Sequence, residues 1–285
     1  MANSKPQQIT GYSTHQTSLA ERTLLTAWRY VGEYHAHLVL VGGLVPRYLV
    51  DGAADRKIEV GSGHCGTLDV DLGISLAVSE KETYKSIRKA LLERAKCRPG
   101  KNETGKEQRH SFVLPISETE EVNIDFLTVE YHGPETVVRA VEDDLSAIQV
   151  EGLGLALKDP IQIHIKADLL TGDGVYSATI PICRVVPFVV LKALAFAKRG
   201  ERKDAYDLVY TLSRYKDGPA AVAEEVREDE RKADSFQHAT SEMQKLFASE
   251  NDNGAVAYGN FLGNRGQAAM AYAAVQEFLA ALKNA

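Results

Sequence analysis

The pattern of apolar and polar positions predicts strands and helices in the first two thirds of the chain and helices almost throughout the remainder. Apolar residues recur at helical spacing between Ala20 and Val31, which predicts a first amphipathic helix. The sequence Ser-Leu-Ala-Glu at 18–21 has the form of a capping box for that helix. A continuous apolar run at 38–41 then indicates a buried strand that ends at two glycines.

The other elements follow from the same periodicities. We predict strands at 68–76, 110–116, 122–127, 161–169 and 180–185, and helices at 44–50, 79–95 and 137–149. After Pro187 we predict helices at 188–199, from about 202, at 220–247 and at 267–283, with a loop-rich break at 251–266. The expected fold is α/β (α+β), with a mixed sheet and flanking helices in domain 1–187 and a helical lobe in 188–285.

Composition and charge narrow the class of protein. The chain has 285 residues, of which 44% are hydrophobic and 25% are charged, as in a soluble globular protein. Its formal net charge of -6 means that a nucleic acid must be met by a local basic patch. Three widely spaced cysteines argue against a disulfide framework, and no apolar run is long enough to span a membrane. We therefore expect a cytoplasmic protein with no membrane partner.

The strongest chemical signal is a pair of aspartates on a strand. In 68–76, alternate apolar residues face one side, so Asp69 and Asp71 share the other side. Asp125 is presented in the same way by the alternating strand 122–127. Carboxylates this close repel one another unless a cation lies between them, and oxygen ligands suit Mg²⁺ or Mn²⁺. The alternative is that the pair caps a turn or meets surface lysines.

Gly42 and Gly43 end the first strand, where glycines allow close approach of the backbone to a ligand. A helix that starts just after them can receive a phosphate, and Arg47 on that helix can reach an anion. A simple tight turn and a solvated arginine are the alternatives. The polar stretch that follows contains His64 and Cys65, but no second His/Cys pair lies nearby, which disfavours a metal role.

A second set of charged residues lies in the helical part. Lys192 interrupts an apolar helix, where it either extends out of the core or projects into a cleft. Asp204 and Asp207 lie on one face of the next helix. A structural ion pair between the two helices is the alternative to a functional role.

These motifs resemble a known family. Gly-Gly followed by Thr-x-Asp-x-Asp and a later Asp is similar to the polymerase-beta-like nucleotidyltransferase superfamily. The segment from Lys192 to Leu208 resembles the K-x-x-A…R…K/R-D-x-x-D-L signature of AbiEii-type nucleotidyltransferases. That family comprises toxins of type IV-like toxin–antitoxin and phage-abortive systems, and the resemblance covers roughly residues 35–215.

The resemblance implies a nucleotidyltransferase fold and a role for each candidate residue. The implied metal ligands are Asp69, Asp71 and Asp125. The implied nucleotide-binding residues are Gly42, Gly43, Lys192, Arg47 and Arg199, and the implied catalytic residues are Asp69, Asp71, Lys192, Asp207 and Asp204. Lys203 is a further candidate.

The implied reaction moves a nucleotide from an NTP to an acceptor and releases pyrophosphate. The expected acceptor is tRNA, with a protein hydroxyl as the other choice, and a cognate antitoxin is an expected partner. A basic stretch at 88–106 could contact RNA phosphates, and the alternative is a solvated helix face plus a loop. A catalytically inactive regulator that binds nucleotide or a partner is the alternative function, and an Asp-x-Asp glycosyltransferase is a weaker one.

Overall fold

The computed structural model describes residues 5–50, 63–75, 85–130, 138–141 and 145–284. The described residues form two compact units. The first comprises the described parts of Ser13–Val45 and Gly66–Cys183, and the second those of Lys5–Tyr12, Pro46–Cys65 and Arg184–Ala285. The domain boundary expected at residue 187 stays a prediction.

The first unit is built on one mixed sheet, which confirms the predicted α/β class. Its strands within the described residues are β1 (Leu38–Val41), β2 (Asp69–Ile74), β3 (Arg98–Lys101), β4 (Glu107–Pro115), β5 (Glu121–Val129), β6 (Val138–Ala140), β7 (Ser146–Val150), β8 (Ile161–Asp168) and β9 (Val175–Ile182). The main strand order is β3-β4-β5-β2-β1-β9-β8. Beyond the end of β4, β7 pairs with β5, and β6 pairs with β7.

The centre of the sheet positions the aspartates. All four residues of β1 are buried, as a strand covered on both faces requires. β2 runs antiparallel to β1 and parallel to β5. In this register Val41 lies opposite Asp71, and Asp71 lies opposite Asp125. Strand pairing alone therefore brings the predicted carboxylates onto neighbouring strands.

Within the described residues, four helices belong wholly or partly to this region of the chain. They are α1 (Thr14–Val31), α2 (Val45–Leu49), α3 (Lys85–Lys89), which continues as a π-helical turn at Ala90–Arg94, and α4 (Leu153–Leu157). The helix α1 packs on the sheet, and Trp28 is buried with only 2% of its surface exposed. The predicted capping box is wrong: α1 starts at Thr14, because the Ser13 hydroxyl accepts a hydrogen bond from the Gln16 amide.

One predicted helix is wrong. Within 137–149, the described residues form β6 and β7 rather than a helix. β7 pairs in parallel with β5, and Ser146 and Ala147 are buried there. This pairing with a strand about twenty residues earlier outweighs the local helical propensity of the acidic segment. Residues 137 and 142–144 of the prediction lie outside the described residues.

The second unit is helical. Its helices after residue 184 are α5 (Val185–Arg199), α6 (Arg202–Arg214), α7 (Pro219–Glu224), α8 (Glu228–Arg231), α9 (Asp234–Leu246), α10 (Asn253–Phe261) and α11 (Ala268–Asn284). The predicted break at 251–266 is wrong in part, because it contains α10. Gly254 and Gly259 disfavour a helix locally, but both are buried, so packing against neighbouring helices stabilises this one. Among the described residues, no helix combines the length and apolar character needed to cross a bilayer.

Candidate active site

The first unit brings together the three aspartates predicted to bind a metal. One ligand atom from each of Asp69, Asp71 and Asp125 lies within 4.8 Å of the others. Asp69 and Asp71 are two residues apart on β2, so both project from the same face. Asp125 joins them because it is the register partner of Asp71 on the parallel strand β5.

Two neighbouring residues shape this cluster. Thr67 donates a hydrogen bond from its hydroxyl to Asp69 Oδ1 at 2.6 Å, and both side chains are buried. Thr67 precedes β2 by two residues, and its hydrogen bond orients the carboxylate of Asp69, the first residue of that strand. The Thr-x-Asp-x-Asp pattern includes Thr67, but the sequence alone does not predict this contact.

Gly42 lies against the same cluster. It has φ +77°, and a Cβ atom built on it would lie 1.9 Å from Asp71 Oδ2. Only glycine combines this backbone conformation with that close approach. The predicted glycine turn and the predicted aspartates are therefore neighbours within the first unit.

Gly43 and Arg47 are the other two residues of this segment that the sequence predicts to bind nucleotide. Gly43 is buried in a 3₁₀ turn, Gly42–Leu44, that leads into α2. Arg47 lies on α2, is half-buried and belongs to the second unit. A nucleotide-binding role for Gly43 and Arg47 stays a prediction.

The donor chemistry of the aspartate cluster fits a hard divalent cation. Three carboxylates supply oxygen ligands, which Mg²⁺ and Mn²⁺ prefer, and their mutual repulsion is relieved by a bound cation. The disfavoured pair, His64 and Cys65, belongs to the other unit. Burial raises the pKa of the Cys65 thiol to about 11, so this thiol is neutral near pH 7.

The second unit brings together the charged residues predicted from the helical signature. Lys192 projects from α5 toward α6, where its Nζ lies 3.1 Å from Asp204 Oδ1 and 2.7 Å from Asp207 Oδ2. Both carboxylates are almost fully buried. Lys192 therefore makes the contact between helices that the sequence left open, and it does so in the interior of the unit.

Three further side chains complete this cluster. Arg199 donates to both oxygens of Asp204, at 2.6 Å and 2.8 Å, while half of its side chain remains exposed. Lys203 and His64 both contact Asp207 Oδ1, and the His64 contact measures 2.7 Å from Nε2. Sequence reasoning missed the His64 contact, because no local pattern connects it to α6.

The charges of this cluster hold one another in their ionised forms. Burial alone would raise the pKa of Asp207, but Lys192 and Lys203 outweigh it and hold that pKa well below its usual range. Burial alone would lower the pKa of Lys192, but Asp207 and Asp204 outweigh it and raise that pKa above the ordinary lysine value. Lys192 is therefore a permanent cation near neutral pH.

The cluster also carries an excess of positive charge. Lys192, Arg199 and Lys203 face two carboxylates, so these five side chains sum to one positive charge. A buried cation with fixed orientation beside a half-exposed arginine is suited to binding an anion such as a phosphate. The geometry also satisfies the purely structural interpretation, in which the charges pair α5 with α6.

Comparison with known protein families identifies a match that includes most of these motifs. The family model described as "Nucleotidyl transferase AbiEii toxin, Type IV TA system" matches residues 66–283. The matched region contains both charged clusters except His64, whereas Gly42 and Gly43 precede it. A comparison with curated proteins gives no match. Because the match covers well over half of the chain, the protein belongs to the AbiEii nucleotidyl transferase toxin family.

Proposed function

We propose that this nucleotidyltransferase moves a nucleotide from an NTP to tRNA, releases pyrophosphate, and requires Mg²⁺ or Mn²⁺ at Asp69, Asp71 and Asp125. The observation that carries the metal requirement is the convergence of three carboxylate ligand atoms within 4.8 Å in a member of this family. Divalent cations bound there would activate the acceptor hydroxyl and neutralise charge on the departing pyrophosphate.

The residues of the first unit hold and shape that site. Asp71 and Asp125 keep their relative position through the β2–β5 register, and Thr67 restrains the Asp69 carboxylate. Gly42 leaves room for the Asp71 side chain. We further propose that the backbone of Gly42 and Gly43 lies along the NTP phosphates, as glycine turns commonly do.

We assign phosphate binding in the second unit to Lys192. Asp204 and Asp207 fix its Nζ, so its charge is oriented before a substrate arrives, and less conformational entropy is lost on binding. Arg199 is the second phosphate-binding candidate, because half of its side chain is exposed although its guanidinium pairs with Asp204. Lys203 supports Asp207 rather than the nucleotide.

The choice of tRNA as acceptor is supported by the basic stretch at 88–106. Its exposed cations include Arg94, Lys96, Arg98, Lys101 and Lys106. Arg98 pairs with the exposed Glu121, but exposed ion pairs are weak and can be replaced by phosphate contacts. The chain has a net charge of -6, so this local patch is where we propose that RNA phosphates bind.

An incorporation assay identifies the acceptor. The purified protein is incubated with Mg²⁺ and each labelled NTP in turn, with total tRNA or with cell protein. Our proposal predicts label in tRNA with the wild type and none with the Asp69→Ala/Asp71→Ala variant. Label in protein would overturn the choice of acceptor. NTP binding without transfer to any acceptor would favour an inactive regulator.

A charge-matched pair of variants tests the RNA surface. Lys96→Gln/Lys101→Gln/Lys106→Gln removes three exposed charges from the proposed surface. The control, Lys232→Gln/Lys245→Gln/Lys283→Gln, removes the same charge from exposed positions in the helical unit. We expect only the first to weaken tRNA binding, with a shallower salt dependence of about 0.7–0.9 in log–log slope per lost phosphate contact. Equal effects of both variants would remove this surface from the proposal.

We also propose that the protein acts in the cytoplasm, where NTPs and tRNA are present, and that a cognate antitoxin opposes it. Expression of the wild type should arrest growth, whereas the Asp69→Ala/Asp71→Ala variant should not. Co-expression with the neighbouring gene then tests for the antitoxin. Growth arrest by both proteins would separate toxicity from nucleotidyl transfer.

A further inference from the structure

His64 occupies a position in the second unit that the proposed mechanism has not used. Its Nε2 lies 2.7 Å from Asp207 Oδ1, and only 1% of its side chain is exposed. It comes before residue 66, where the family match begins. Burying an imidazole and a carboxylate without a hydrogen-bond partner costs free energy. The hydrogen bond between His64 and Asp207 offsets this cost for both side chains.

The surroundings fix the orientation of the imidazole. Its ring contacts the rings of Tyr206 and Tyr210 on α6, with centroid distances of 5.2 Å and 5.1 Å. The backbone amide of Cys65 donates to the Tyr206 hydroxyl at 3.0 Å, which attaches the next residue to the same helix. The ring therefore has little freedom to turn away from Asp207.

The ionisation of Asp207 determines the direction of the hydrogen bond. Lys192 and Lys203 keep the pKa of Asp207 well below its usual range despite burial, so this carboxylate accepts hydrogen bonds and donates none. His64 Nε2 therefore carries the proton that points to Asp207 Oδ1. A carboxylate that is fixed at Oδ1 by His64 and Lys203 presents Oδ2 to Lys192 in one orientation.

We propose that His64 is a positioning residue for nucleotidyl transfer: its Nε2–H holds Asp207 so that Oδ2 keeps the Lys192 ammonium in place for the NTP phosphates. This inference rests on the proposed phosphate-binding role of Lys192. His64 does not touch the nucleotide in this scheme. It acts through Asp207 by the same N–H to carboxylate hydrogen bond that orients many catalytic histidines, but here the histidine positions the carboxylate.

Two pairs of variants separate positioning from packing. His64→Gln can place an amide N–H near the position of Nε2, whereas the shorter His64→Asn cannot, although both side chains have the same chemistry. We expect His64→Gln to keep kcat/KM within threefold of the wild type, and His64→Asn to lose at least tenfold. Glu230→Gln is the control: it breaks the buried pair with Arg184 in the same unit, so it should lower Tm without lowering kcat/KM.

A double-mutant cycle tests whether His64 acts through Lys192. Pyrophosphate release is measured with total tRNA and a mixture of the four NTPs. In a Lys192→Met background, we expect His64→Asn to cause no further loss. If Lys192→Met keeps full activity, the proposed role of Lys192 fails. Suppose instead that Lys192→Met is inactive. The inference about His64 is then overturned if both His64 variants match the wild type, or if His64→Asn and His64→Gln lose the same activity.

Discussion

Replacing Gly42 with alanine tests the arrangement of the aspartate cluster most severely. The backbone of Gly42 has φ +77°, and the added Cβ would lie 1.9 Å from Asp71 Oδ2. An ordinary contact needs at least 3.4 Å, so the carboxylate must withdraw by 3.4 − 1.9 = 1.5 Å if the backbone stays in place. Ligand distances to Mg²⁺ are about 2.0–2.1 Å with little tolerance, so this displacement removes Asp71 from the metal.

The substitution should lower both the stability of the first unit and its affinity for metal. The left-handed conformation costs an alanine about 1–2 kcal/mol, and the smaller entropy of the unfolded chain offsets about 0.4–1 kcal/mol of it. The backbone alone therefore costs about 1 kcal/mol, which lowers Tm by roughly 2–4 °C for a unit of this size, and the clash with Asp71 adds to this loss. Loss of one of three carboxylate ligands should weaken metal binding by at least about tenfold, or 1.4 kcal/mol.

Gly174 provides a matched control for the backbone strain. It has φ +78° in the same unit, and nothing lies within 4 Å of the position of its Cβ. Thermal melts and Mn²⁺ titration calorimetry are measured for both alanine variants. Both variants should have a lower Tm, and Gly42→Ala should lose more because its Cβ also meets the Asp71 side chain. Only Gly42→Ala should lose Mn²⁺ affinity. Equal Mn²⁺ affinity in the two variants would refute this account of the glycine turn.

Three further predictions follow from single contacts. Thr67→Val removes the hydrogen bond to Asp69 and should weaken Mn²⁺ binding about 10-fold or more in calorimetry; unchanged affinity would contradict the orienting role. Burial raises the pKa of Cys65 to about 11 and of Cys97 to about 12, so iodoacetamide at pH 7.5 should label both slowly until the protein is unfolded. Because the pKa of Asp207 is lowered on folding, its ionisation stabilises the protein above its unfolded pKa of about 3.9. Asp207→Asn should therefore cost about 3–5 kcal/mol in urea denaturation at pH 7, by a margin that narrows as the pH falls below 4.

Local periodicity places the three aspartates of the first cluster on strands, and Lys192, Asp204 and Asp207 of the second cluster on helices. Alternation along β2 and β5 placed Asp69, Asp71 and Asp125 on strands, and the register of those strands then brought them together. Lys192 and Asp207 lie on consecutive helices, and they are in contact because helices that are adjacent in sequence commonly pack against each other. Side-chain period and chain adjacency are both visible in a sequence.

Features that depend on distant pairing could not be predicted. The segment 137–149 was predicted as a helix, but β7 is held by its pairing with β5. His64 and its partner Asp207 are 143 residues apart, and no periodicity connects them. The close approach of Gly42 to the Asp71 side chain also arises only from the β1–β2 register.

The most direct test of the central claim, that the three aspartates form one metal centre required for nucleotidyl transfer, uses Asp125→Asn. Mn²⁺ affinity and transfer of label from NTP to tRNA are measured together, with Asp168→Asn, an exposed aspartate on the same sheet, as the control. The account predicts that Asp125→Asn loses both Mn²⁺ binding and transfer, whereas Asp168→Asn keeps both. Wild-type Mn²⁺ affinity and transfer in Asp125→Asn would contradict it.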